Sequence, residues 1–177
     1  MQRETRDLEF KESVSNTFLK TVSAFANYGD GRILFGVDDN GEVIGLSDLP
    51  QTCLNIENRI NDSISPLPEY CLEINDDNTI TLWVYKGTNT PYLYKNKAYR
   101  RSDSASIEVD RLELNRLILA GMNQDFEDLP AQKQQLTFHV LEQCMEKHVG
   151  IETLNQDILK TLGFLPPKAN ITMRQNY

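Results

Sequence analysis

Residues 24–41, AFANYGDGRILFGVDDNG, run from the end of an amphipathic pattern through two glycines into an apolar stretch and then into an Asp-Asp-Asn-Gly turn. Upstream, Val14, Phe18, Val22 and Phe25 recur at helical spacing, so a helix is expected from a Ser13 or Ser15 cap to about Tyr28, stopped by Gly29 and Gly31. RILFGV (32–37) reads as a buried strand, DDNG as a hairpin turn because Asn-Gly readily takes positive φ, and EVIGL as the returning strand. Before the helix, RDLEFK (6–11) alternates with Leu8 and Phe10 on one face, which suits a half-buried strand and puts Glu9 on the other.

Working outward, Leu54, Ile56, Ile60 and Ile64 predict a second helix ending at Pro66. Strands are expected at 70–75 and 79–85, a hairpin pivoting on Lys95, Asn96 and Lys97 within 91–101, and a helix from about Glu108 to Leu119. The pattern predicts an α+β fold: a mixed, mostly antiparallel sheet with flanking helices, followed by a C-terminal helical segment. Four parts are expected: a domain over 1–121, a polar linker over 122–130, a helical extension over 131–165 that begins another unit, and a tail over 166–177. Within the extension, 131–148 and 151–162 read as helices broken at Gly150 and ended by Gly163. The aperiodic tail suggests a chain that continues in a longer protein.

The 177 residues, 40% of them hydrophobic, can fill one core of ordinary size. A formal charge of −8 argues against a strongly basic nucleic-acid binder. Cys53, Cys71 and Cys144 form neither a CxxC pair nor an even set, and read as small buried apolar residues. No apolar leader or membrane-length run is present, so a reducing, cytoplasmic setting is expected. His139 and His148 lack ligands at metal spacing, and GxxxxGK[ST] occurs nowhere, so no ATP site is expected.

Two constellations could carry chemistry. Glu4, Glu9 and Asp39 are three carboxylates that neighbouring strands could bring together, and such a set would be stabilised by Mg²⁺ or Mn²⁺ able to activate water against a phosphodiester. Turn chemistry by itself accounts fully for Asp38-Asp39-Asn40-Gly41. The second is the basic stretch around 91–106. From Lys86 through Arg101 there are five basic residues, Lys86, Lys95, Lys97, Arg100 and Arg101, and no acidic one, interleaved with Tyr92, Tyr94 and Tyr99 and followed by Ser102, Ser104 and Ser106. Aromatic rings beside cations suit base stacking with phosphate contact, and serine hydroxyls add neutral phosphate bonds. Lysines on an exposed hairpin also protect a sheet edge from aggregation.

The motif order ETRDLEFKES, TVSAFANYGDGRILFGVDDNGEVIGL and PYLYKNKAYRRSDSAS resembles the Schlafen AlbA-type domain over residues 1 to about 120. One departure is Gly29-Asp30-Gly31, where the family usually has two adjacent glycines. The resemblance implies a nucleic-acid-binding domain, for DNA or RNA, of bacterial regulation or defence. By its nuclease members it also implies a metal-dependent endoribonuclease with Glu4, Glu9 and Asp39 as catalytic and metal-binding residues. Lys11 would then stabilise phosphate charge. Those members form a basic clamp from two lobes, so this chain would need a homodimer or a larger protein. A third reading is a protein-interaction or dimerisation module whose acidic surface meets a basic partner.

Overall fold

The computed structural model describes residues 3–124, 138–150 and 153–162. The chain divides into two compact units, Met1–Pro130 and Ala131–Tyr177. In the first, β1 (Leu8–Lys11), α1 (Phe18–Tyr28) and β2 (Gly31–Phe35) form a βαβ unit, in which β1 lies parallel to β2 with Leu8 opposite Arg32 and Lys11 opposite Phe35. There follow α2 (Leu49–Ser63), β3 (Ile64–Ser65), β4 (Tyr70–Ile74) and β5 (Ile80–Val84). β5 returns antiparallel to β2, and β4 antiparallel to β5, giving the order β1-β2-β5-β4. The sheet is therefore mixed and mostly antiparallel, with helices flanking it.

Period-two alternation assigns the faces. Ile33 and Phe35 of β2 meet Phe18, Val22 and Phe25 of α1 together with Ile56 and Ile60 of α2, and Phe18 packs edge-on to Phe35 at 5.3 Å between ring centroids. On the opposite face Leu8, Phe10 and Val37 form a smaller cluster with Leu34. Truncating a ring such as Phe25 in a core of this kind costs about 3–5 kcal/mol.

Several local expectations change. The cysteines are not buried: Cys53 is half-buried, and Cys71 and Cys144 are exposed. Helix α1 begins at Phe18 with Thr17 in the cap position and no capping side-chain bond, while Ser15 hydrogen-bonds Thr17 at 2.7 Å instead. Asp48, at φ +51, caps α2 by accepting from the Gln51 N–H, which places Leu49-Pro50 inside the first helical turn. EVIGL is not a strand. Val37 and Val43 make a single bridge, and the chain then turns back onto the Gly36 carbonyl, which accepts from the N–H groups of both Ile44 and Gly45. This leaves Val43 and Ile44 54% and 59% exposed.

The 91–101 segment also differs from a single hairpin. Lys95 and Asn96 both adopt positive φ (+52° and +61°), closing a tight turn between Tyr94 and Lys97. However, β6 (Leu93–Tyr94) pairs with β3, while β7 (Tyr99–Ser102) pairs with β8 (Ala105–Glu108). Two turns replace one because Tyr94 and Tyr99 both enter the core. Helix α3 (Arg111–Gly121), capped by Asp110 on the Glu113 N–H, packs Leu117 with Ala98 and Val109.

In the second unit α4 (His139–Val149) ends at Gly150, whose φ of +73° is the left-handed conformation that glycine favours there. Helix α5 (Gln156–Thr161) is capped by Asn155 on the Ile158 N–H. The expected helical start at 131–137, the stop at Gly163 and the tail lie outside the described residues. No described helix is long and apolar enough to cross a membrane.

Candidate functional site

The alternation of β1 turns Glu9 toward α1, where it is 6% exposed. A buried carboxylate must be paired and hydrogen-bonded, and Glu9 is both. Its Oε2 accepts from Thr21 Oγ1 at 2.8 Å and from Nη1 of Arg101, and its Oε1 pairs with Lys11 Nζ at 2.7 Å. Lys11 Nζ also donates to the Phe10 carbonyl at 3.0 Å. Arg101 is itself buried: Nη1 donates to Ser106 Oγ at 3.0 Å, Nη2 to the Thr5 carbonyl at 3.2 Å, and the guanidinium stands 5.7 Å from the Phe25 ring centroid. Only its Nε–H has no partner.

Glu4 lies beside this cluster in a different role. Its Oε1 accepts the Phe10 N–H at 2.8 Å, satisfying a backbone donor of edge strand β1. The DDNG turn is held by Asp38, whose Oδ1 accepts from the Asn40 and Glu42 N–H groups at 2.9 and 2.7 Å. These bonds, with Glu42 foremost, hold its carboxyl below the usual carboxylate range. Asp39 is exposed beside it. Among the described residues no three His, Cys, Asp or Glu side chains stand together as a metal-holding set. A divalent cation needs carboxylate oxygens with charge to spare, whereas both Glu9 oxygens are already committed to cations. The donor set does not fit Mg²⁺ or Mn²⁺ in this arrangement.

The basic stretch is divided between interior and surface. Tyr92, Tyr94 and Tyr99 are buried core residues, so their rings are not available to stack on bases. Lys97 pairs with Glu108 at 2.7 Å and Arg100 with Glu113 at 3.2 Å, both partly exposed, while Arg101 is committed to Glu9. Glu108 raises the Lys97 ammonium above its ordinary value, first through the hydrogen bond and then through its charge. Lys95 remains exposed at the turn, 5.3 Å from the Tyr94 ring centroid. Lys20 on α1 stands 5.8 Å from the Tyr99 ring, and the two tyrosine rings are 6.4 Å apart. Two lysines, 20 and 95, thus stand over one pair of tyrosines, and Lys97 lies exposed on the same turn. Ser102 is exposed and Ser104 half-buried, whereas Ser106 bonds Thr21 and Arg101. Lys20 was not foreseeable from spacing, because only the fold carries α1 to the β6–β7 turn.

The residues of the opening stretch anchor this surface. Asn27 clamps Tyr92 from both sides, accepting its N–H at 2.8 Å and donating to its carbonyl at 2.9 Å, with Ser23 donating to the same carbonyl at 2.7 Å. Asp30, the residue between the two glycines, accepts the Lys86 N–H at 2.7 Å. Gly31 is required by the Phe25 ring, which a Cβ there would meet at 2.4 Å. The family model described as Schlafen, AlbA_2 matches residues 4–110. The chain belongs to this family. The match spans the βαβ unit, the Asp38 turn and the β7–β8 hairpin of the Schlafen AlbA_2 domain.

Among solved structures, the crystal structure of the DIP2311 protein from Corynebacterium diphtheriae is similar at a TM-score of 0.51 and 17% identity, over 90% of this chain and 33% of that one. The chain thus spans about a third of that protein, and the likeness is one of fold. The solution structure of the N-terminal domain of a RecG-related protein from Nitrosomonas europaea is similar at 25% identity and a TM-score of 0.39, over 63% of this chain and 85% of that one. No curated protein matches the chain.

Proposed function

We propose that the Schlafen AlbA_2 unit is a nucleic-acid-binding module that contacts the phosphate backbone through the β6–β7 turn. The observation that carries this reading is the placing of Lys20 over the Tyr99 ring and Lys95 over the Tyr94 ring, with Lys97 exposed on the same turn. Lys95 and Asn96 hold left-handed conformations in an exposed turn, and Ser102 adds an exposed hydroxyl in the same chain segment. Ion pairs at the surface are worth little, so Lys97 can exchange Glu108 for a phosphate at small cost. Binding of this kind reads the backbone rather than base identity, and it weakens steeply with salt. The chain's net charge of −8 confines the attraction to this patch and restricts the module to modest affinity, which suits work within a dimer or a longer protein.

The test is a binding titration of the purified chain with structured RNA, single-stranded DNA and duplex DNA, with Mn²⁺ or with EDTA. Salt-sensitive binding that drops in a Lys20→Gln/Lys95→Gln/Lys97→Gln variant supports the reading. Absence of binding at low salt overturns it in favour of a protein-interaction module. Cleavage that appears with Mn²⁺ and disappears in Glu9→Gln would instead establish an endoribonuclease, which requires Glu9 to exchange its cations for a metal.

A further inference from the structure

A second place in the same unit carries free cations, and its walls are fixed. Between the end of α1, the 86–90 loop and α3 lies a cavity of about 480 Å³, within the range of pockets that hold small molecules. The loop is tied to α1 by the Gly87 N–H on the Ala26 carbonyl at 2.9 Å, and to α3 by Thr90 Oγ1 on the Leu117 carbonyl at 2.7 Å. There is no slack in either wall: a Cβ at Gly87 would fall 1.9 Å from the Tyr92 hydroxyl, and one at Gly121 would fall 1.9 Å from the Thr90 carbonyl oxygen. Tyr28 donates to Glu113 at 2.9 Å while Arg100 pairs with the other oxygen of that carboxylate at 3.2 Å, so the one acidic side chain lining the cavity is neutralised.

What remains is unpaired positive charge beside an apolar floor. Lys86 from the loop and Arg116 from α3 both line the cavity, and among the described residues neither head group has a hydrogen-bond or ion-pair partner. Leu117, Ala120 and the Tyr28 ring supply flat apolar surface next to them. We infer that this cavity binds the phosphate monoester of a nucleotide, with Lys86 and Arg116 on the phosphate and the nucleoside against Tyr28 and Leu117. An Arg and a Lys meeting one doubly charged phosphate form charge-assisted bonds, the strong class of hydrogen bond. The same chemistry is offered by a free mononucleotide and by the 5′-phosphorylated end of a strand.

The experiment is an amide NMR titration of the whole chain with four probes: adenosine 5′-monophosphate, adenosine, inorganic phosphate, and a short oligothymidylate with or without a 5′-phosphate. The expected result is saturable shifts at Gly87 and Asn123 with the monophosphate. Loss of one phosphate contact in Arg116→Gln or Lys86→Gln should weaken it about tenfold. Lys95→Gln, on the separate turn surface, should leave it unchanged. Both variants change solvent-accessible side chains, and an unaltered thermal melt confirms that they fold. Preference for the 5′-phosphorylated strand assigns the site to strand ends, and monophosphate binding without that preference assigns it to free nucleotide. The inference is overturned if no saturable shift appears, if Arg116→Gln binds as well as the parent chain, or if adenosine or inorganic phosphate alone binds as tightly as the monophosphate.

Discussion

Lys95 and Arg101 belong to one basic stretch of sequence, yet the fold gives them opposite roles. Arg101 is buried against Glu9, Ser106 and the Thr5 carbonyl, and it joins β7 to β1 and, through Glu9, to α1. Lys95 sits exposed on a left-handed turn, its ammonium over the Tyr94 ring. A buried cation is strongly coupled to its partner because low dielectric magnifies both attraction and the cost of losing it, whereas an exposed one is screened. Positive charge in the stretch is therefore of two kinds, one structural and one available to a ligand. Counting basic residues along the sequence merges them.

The contrast can be broken most forcefully at Glu9. Glu9→Gln should cost about 3–5 kcal/mol in urea unfolding, since it leaves Arg101 buried without a counter-charge. Replacing both members, as Glu9→Leu with Arg101→Met, should recover much of that loss. An unchanged unfolding midpoint in Glu9→Gln would show that the cluster is not structural. At the end of α1, Gly31→Ala should destabilise by about 1–3 kcal/mol because its methyl meets the Phe25 ring. Thermal melts would show this directly.

On the exposed side, Lys95→Gln with Lys97→Gln should leave the melt within about 0.5 kcal/mol of the parent. The same pair should lower the slope of log affinity against log salt by roughly one for each lost phosphate contact. A stability loss without a change in slope would reverse the assignment of the two kinds of charge.

The smallest expected effect is alkaline. Burial, then the bond to Glu113, raises the Tyr28 phenol well above its ordinary value of 10.0. A folded-state pKa raised in this way contributes stability that is whole below pH 10 and declines as pH rises beyond it. Tyr28→Phe should remove that part of the alkaline decline, measured as the midpoint of unfolding at pH 9 and 11.

Much of the fold was legible because its signals are local. The helical spacing through Phe25, the apolar run after Arg32 and the turn at DDNG each depend on neighbours a few residues apart. The candidate site was legible only in part. Glu9 was correctly placed opposite Leu8 and Phe10, but its partner lies 92 residues away, beyond any periodic pattern. One signal was present for the basic stretch. Tyr99 and Arg101 are two apart in a strand and so share a face, and a tyrosine facing the core takes the arginine with it. EVIGL failed as a strand for a related reason: its apolar residues found backbone bonds to Gly36 but no neighbouring strand.

The Glu9–Arg101 contact also bears on the order in which the unit assembles. It closes a separation of 92 residues, so neither partner can find the other until the intervening helices and hairpins have shortened the distance. Strand β1, held at the sheet edge by one neighbour and by this contact, is expected to dock late and to open early. In native-state hydrogen exchange the amides of β1 should then exchange at lower free energy than those of β5 at the sheet's interior.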